Sequence, residues 1–207
     1  MYPKNDIDAW LMYPQYRHVY NKMSICQYQN IVHNPMPIMP KKFPVIIKPI
    51  INLSGMGSES YKVSSPDEFI DHWFHPGFWM EYLSGDHLSF DIILIGGAIK
   101  FWVCFQGFPD TSHHGTFKYW KQTTNHSKLP HIVKKFIRDN LQGFNGCVNV
   151  ECINQVMIEF HLRMGDIFHI PDRSNPYRCI SHRKTLYEHV EESYDGIWTL
   201  SDNYIPL

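Results

Sequence analysis

Residues 146–166, GCVNVECINQVMIEFHLRMGD, carry charged side chains into what otherwise reads as an apolar hairpin. Val148, Val150 and Cys152 share one face of the first strand, and Ile158, Phe160 and Leu162 share one face of the second. The other face carries Asn149, Glu151, Glu159, His161 and Arg163. Side chains alternate with period two, so the turn decides whether the two glutamates meet. A two-residue turn at Asn154–Gln155 would mix polar with apolar, whereas a three-residue loop, Asn154 to Val156, pairs Glu151 with Glu159 and leaves one face wholly apolar. The second register is the expectation. Directly opposed like charges destabilise a sheet by roughly 0.2–1 kcal/mol, so something positive should sit between the carboxylates. Arg163 is one candidate and a divalent cation is the other.

Composition bounds the rest. A chain of 207 residues can bury a sizeable core, as one large domain or two small ones sharing a cleft. A net charge of −1 gives no electrostatic case for nucleic acid or an anionic membrane surface. The five cysteines include no CxxC pair and are odd in number, which argues for reduced thiols. No apolar run approaches the roughly 18 residues of a membrane span, and MYPKNDID is no signal peptide; a soluble, cytoplasmic protein is expected. Most of the 13 histidines are isolated, as are His33, His131 and His189, and are not read as ligands. The neighbours His113 and His114 need not converge and stand as a subsidiary metal candidate.

Outward from the hairpin, the Tyr- and Pro-rich residues 1–19 read as an extended arm, followed by a short helix over 22–30. HNPMPIMP forbids a regular helix. FPVIIKPI (43–50) is a strand, NLSGMGSES (52–60) a small-residue loop and YKV a second short strand. SSPDEFIDHW has the signals of a helix start: serine, Pro66, then Asp67 and Glu68. Strands FWMEYL (78–83), LSFDIILI (88–95) and AIKFWVCF (98–105) follow, the last two joined at Gly96–Gly97. A polar loop is expected from Gln106 to about Leu129, then an amphipathic helix over 129–142, the hairpin, and a helix near 183–193. This order predicts an α+β fold with mostly antiparallel sheets.

Lys48 ends an apolar strand and is followed by Ser54-Gly55-Met56-Gly57-Ser58, whose backbone N–H groups and hydroxyls suit a phosphate. An ordinary snorkelling lysine beside a turn reads equally from this stretch alone. Glu81-Tyr82-Leu83 before Ser84-Gly85 can act as a hinge whose backbone reads a purine edge, or be a plain hairpin.

Four stretches in order, YNK (20–22), VIIKPIINLSGMGS (45–58), WMEYLSGDHLSFDIIL (79–94) and NVECINQVMIEFHLR (149–163), resemble the ATP-grasp family of carboxylate–amine and carboxylate–thiol ligases. The resemblance implies two small α+β subdomains clasping a nucleotide: an arm at 1–19, an N-terminal subdomain at 20–83, a C-terminal subdomain at 84–170 and an extension at 171–207. It implies that Lys22 and Lys48 contact the ATP phosphates, that Ser54, Gly55, Gly57 and Ser58 cover them, and that Glu81, Tyr82 and Leu83 hold adenine. His87 stands where the family usually has the acidic ribose ligand, with Asp86 beside it. Glu151, Glu159 and His161 fall on the magnesium ligands; histidine replaces the usual asparagine, which favours a softer ion such as manganese. Arg163, with Lys118 and Lys121 from GTFKYWKQTT, would steady an acylphosphate formed when a carboxylate attacks the γ-phosphate. The implied substrates are a small-molecule or peptide carboxylate and an amine or thiol. About twenty residues precede Lys22, too few for the family's usual acceptor-binding domain, so the expectation is that the C-terminal forty residues, a homodimer or a partner protein holds the substrate, or that the chain has kept only the ATP-binding half. Two other readings are an inactive ATP-binding scaffold and an unrelated metalloenzyme using Glu159, His161, His113 and His114. A kinase is excluded, because the chain has no HRD or DFG.

Overall fold

The computed structural model describes residues 3, 5–54, 59–109, 117–123, 128–165, 190–192 and 198–200. Two antiparallel sheets form its frame. The first, in the order β1-β4-β2-β3, joins β1 (His33–Pro35), β2 (Val45–Pro49), β3 (Tyr61–Val63) and β4 (Gly77–Glu81). The second, in the order β7-β6-β5-β8-β9, joins β5 (His87–Ile95), β6 (Ala98–Pro109), β7 (Phe117–Gln122), β8 (Gly146–Ile153) and β9 (Val156–His161). The α+β expectation holds.

Alternation decides which face of each sheet is buried. In β2, Val45 and Ile47 turn to a core with Val63, Phe69 and Trp79, while Ile46 and Lys48 turn to the side of Phe78, Met80 and Cys26. In the second sheet Leu88, Phe90, Ile92, Val148, Val150, Cys152, Phe160 and Leu162 form the main core, which helix α4 (His131–Asn140) covers with Val133, Phe136 and Ile137. Fully burying a side chain of this size contributes about 1.5–3 kcal/mol.

The opening hairpin pairs Glu151 with Glu159, as its apolar face requires, but by a different device. The turn holds two residues, with Ile153 opposite Val156 and Asn154 at φ 54°. A β-bulge between Glu151 and Cys152 then places Met157 opposite Cys152 and leaves Ile158 as the extra residue. Met157 therefore joins Phe160 in the main core, and Ile158 crosses to the cluster beside Phe78 and Met80.

Residues 1–19 are not an extended arm. Asn5 caps helix α1 (Asp6–Met12) by accepting from the Asp8 N–H, and a 3-10 helix (Pro14–Tyr20) follows. Ala9, Val19 and Tyr20 are buried in the main core, and Tyr13 and Tyr16 pack on Phe144. Helix α2 (Lys22–Tyr28) is capped by Asn21, and helix α3 (Pro66–Asp71) by Ser65. The expected loop from Gln106 contains strand instead: β6 runs on to Pro109 and pairs with β7. Residues 190–192, expected to be helical, pair as strand β10 (Val190–Glu192) with β11 (Trp198–Leu200). No helix among the described residues is long and apolar enough to cross a membrane.

The two sheets are clasped at one corner. The Asn154 side chain accepts from the Asp86 N–H at 3.0 Å and donates to the Ser84 carbonyl at 3.2 Å, and the Asn154 N–H donates to the Asp86 carbonyl at 2.8 Å. Gly85, at φ +141°, gives the room: a Cβ there would overlap the Asn154 amide. The segment that leaves the first sheet after β4 is thereby tied to the β8–β9 turn.

Candidate functional site

The polar face of the second sheet looks toward the Lys48 side of the first. Lys22 opens helix α2, where Asn21 caps the helix and the Lys22 N–H donates to the Ile50 carbonyl at 3.0 Å. Its Nζ meets Glu159 Oε1 at 2.8 Å. Lys48 is buried; its Nζ donates to the Ile158 carbonyl at 3.4 Å and lies 5.9 Å from the Phe78 ring centre. Burial first, then the neighbouring Lys22 charge, holds the Lys48 amine down to about 8.

Arg163 does not stand between the two glutamates, because its guanidinium pairs with Asp6. Glu159 is held by Lys22, and Glu151 Oε2 by His87 Nε2 at 2.8 Å. Burial raises the Glu151 carboxyl, but the hydrogen bond and charge of His87, with the charges of His161 and Arg163, outweigh it and bring the group down to about 2. His87 packs edge-on against Phe117 and Trp120, with ring centres at 4.7 and 5.6 Å.

Arg163 points elsewhere. Its Nη2 meets Asp6 Oδ2 at 2.6 Å, and Nη1 donates to the Met164 carbonyl at 2.8 Å. His161 lies between two acids: Nδ1 is 3.0 Å from Asp6 Oδ1 and Nε2 is 3.5 Å from Glu159 Oε1. Tyr20 OH donates to Asp6 Oδ1 at 3.0 Å and accepts from the Leu162 N–H at 3.1 Å. Burial alone would raise Asp6, yet His161 and Arg163 hold it well below the ordinary carboxylate range. Burial would lower His161, but Asp6 and Glu159 raise it above its usual value.

Magnesium takes oxygen donors, and the facing carboxylates of Glu151 and Glu159 fit that requirement. His161 fits magnesium less well, because it turns Nδ1 to Asp6 and can offer only Nε2, on the Glu159 side, a nitrogen where magnesium prefers oxygen. Among the described residues, no three acid, histidine or cysteine side chains gather around one point as an ion would require.

The structure therefore brings Lys22, Lys48, Glu151, Glu159 and His161 into one seam, with His87 on its flank and Arg163 turned to Asp6 behind His161. Lys118 and Lys121 stand apart from Glu151 and Glu159 in the strand order, and the Lys118 side chain lies outside the described residues. Both lie in β7, and β6 and β5 separate that strand from β8. Gly55, Gly57 and Ser58 lie outside the described residues, as do His113 and His114; Ser54 is described, its N–H donating to Asn52 Oδ1 at 2.8 Å. In the hinge, the Glu81 N–H donates to Val32 and the Tyr82 N–H to Pro44, while Leu83 packs near Met80 and Ile158. The residue that the sequence reading missed is Asp6, one of two acids, with Asp8, in a stretch read as an arm.

No family model matches the sequence, and no curated protein matches it. Solved structures do. An L-amino acid ligase from Bacillus licheniformis aligns at a TM-score of 0.56 with 14% identity, covering 72% of this chain and 41% of that one. Carboxyaminoimidazole ribonucleotide synthase from Aspergillus clavatus, complexed with ATP, aligns at 0.52 with 10% identity, covering 74% and 47%. N5-carboxyaminoimidazole synthetase from Staphylococcus aureus, complexed with ADP, aligns at 0.53 with 11% identity, covering 73% and 46%. The chain spans less than half the length of each of these structures. Two antiparallel sheets meeting over a seam of lysines and carboxylates, superposable on these enzymes, make this an ATP-grasp fold.

Proposed function

We propose that this chain binds ATP in the seam between its sheets and acts as an ATP-grasp ligase, activating a carboxylate as an acylphosphate for capture by an amine or thiol. The observation that carries the reading is the convergence of Lys22 and Lys48, from one side of the seam, with Glu151 and Glu159 from the other. Phosphoryl transfer consists mostly of positioning and charge neutralisation, which two amines and a guanidinium supply. Lys22 and Lys48 would hold phosphate oxygens. Arg163, fixed by Asp6, would face the charge that develops on the transferred group. Glu151 and Glu159 would hold magnesium, which neutralises phosphate charge when bound. His87, backed by Phe117 and Trp120, would flank the nucleoside end.

The carboxylate, its acceptor and any partner or second copy that binds them belong to this proposal, as does the cytoplasm as the place of work. The four described cysteines are free and buried, which suits a reducing compartment.

The test is thermal stability with ATP, ADP and a non-hydrolysable analogue, each with magnesium, manganese or chelator. A ligand at 100 times its Kd adds about 2.7 kcal/mol, a shift of several degrees. No shift with any nucleotide–metal pair would sink the reading. A second reading, nucleotide binding without turnover, is favoured by one observation: both carboxylates are already held by protein donors, Lys22 and His87. ADP release across panels of carboxylates and amines separates the two.

A further inference from the structure

The strongest group of buried charges outside the expected ligand set centres on Asp6, which is 2% exposed. Its two oxygens have different partners: Oδ1 accepts from Tyr20 OH and lies 3.0 Å from His161 Nδ1, while Oδ2 lies 2.6 Å from Arg163 Nη2. Both nitrogen-bearing partners belong to the strip that leaves β9 toward the seam, and His161 reaches on to Glu159 with its second nitrogen. Tyr20 also takes the Leu162 N–H, so one carboxylate fixes three consecutive residues, 161 to 163. Removing this carboxylate would leave the buried cations around it uncompensated.

We propose that Asp6 is a positioning residue for the site. From the first helix it fixes the His161 ring and the Arg163 guanidinium, so that the N-terminal segment belongs to the machinery that recognises the terminal phosphate. It touches no substrate; it acts through its two partners. The inference rests on the nucleotide reading only for what Arg163 faces, since the fixing of His161 and Arg163 is a property of the chain alone.

Asp6→Asn gives the sharpest test. Donors sit on both oxygens, so the new NH2 group must face either Arg163 or His161, and one of them has to let go. Two readouts are compared in wild type and variant. The first is the ratio of affinities for a non-hydrolysable ATP analogue and ADP, with magnesium. It should fall about tenfold in Asp6→Asn, the lower end of what loss of a supporting partner does to a site. Asp6→Glu keeps the charge and is the variant to use if Asp6→Asn does not fold; it should lower the same ratio by a smaller factor. The second is the imidazole nitrogen spectrum of His161 at one pH without nucleotide. When the ring holds one proton, Asp6, a carboxylate that only accepts, places it on Nδ1 in wild type; in Asp6→Asn it should redistribute toward Nε2, facing Glu159. A merely structural role would lower Tm in both variants, leaving the affinity ratio and the His161 signals at wild-type values, and would overturn the proposal. If wild type binds neither nucleotide, the ligase reading falls and the His161 spectrum alone judges Asp6.

Discussion

Lys48 shows how one residue sets stability against function. Its amine is held below its ordinary value, from 10.5 to about 8, by burial and by Lys22. The unfolded chain therefore binds more protons than the folded one between about pH 8 and 10.5, so stability rises with pH across that window, and the cost is constant below it. Lys48→Met should accordingly stabilise the protein at pH 7, by up to about 3 kcal/mol, with the gain gone above about pH 10.5; denaturant titrations at both pH values check this. The same change should remove most of the thermal shift that ATP gives. Glu159→Gln tests the facing side. It frees Lys22 from its 2.8 Å partner, so ATP should bind more tightly in chelator than to wild type, roughly threefold to tenfold, while the extra affinity that magnesium gives should shrink. Titration calorimetry with and without magnesium reads both.

At the scale of elements, the bulge decides the site. Were Ile158 paired rather than bulged, a two-residue turn would carry Glu159 to the wrong face. Deleting Ile158 should keep Glu159 opposite Glu151, because only the bulged residue is lost, but should remove its side chain from the Phe78–Met80 cluster and the carbonyl that Lys48 meets, costing about 1.5–3 kcal/mol in unfolding free energy by urea titration. Gly85→Ala should displace Asn154 from its three bonds to residues 84–86 and destabilise by about 1–3 kcal/mol, read by chemical denaturation. These elements also show what was legible in the sequence. Local pattern marked β2, β4 and β5 to within two residues and β6 only as far as Phe105, and the demand for one apolar face gave the pairing of Glu151 with Glu159. The bulge was not legible, because a two-residue turn with an extra residue and a three-residue loop predict the same pairing. FKYWKQ alternates aromatics well enough to be a strand, but the polar stretch around it hid β7. The role proposed for Lys22 was suggested by family resemblance alone, since it follows Asn21 with no local signal, whereas Lys48 also stood between an apolar strand and a Gly/Ser loop.

At the scale of the whole molecule, the N-terminal segment is the largest departure from the reading. Tyr and Pro suggested an arm, yet those tyrosines are packing residues against Phe144 and His161, a tertiary fact that no local pattern carries. The pH profile follows from what that segment ties down. Asp6 is depressed from 3.8, so its contribution is present above that value and is lost as the solution is acidified through its folded value. His161 is raised from 6.5, so its contribution is complete below 6.5 and is lost as pH rises through its folded value. The pair should contribute most between about pH 4 and 6.5, and Asp6→Asn should flatten both flanks of the stability profile, measured by urea unfolding from about pH 3 to about pH 9.

The Asn154 clasp has a mechanical consequence. Gln29, bonded both ways to the Met157 backbone, ties α2 to β9, and Asn154 ties residues 84–86 to the β8–β9 turn, so the β4–β5 link can yield only at Tyr82 and Leu83. A bound nucleotide would then leave by the far side of the seam, like a page slipping from a book opened at its spine, and the stiffness of those two residues would set how fast the book opens.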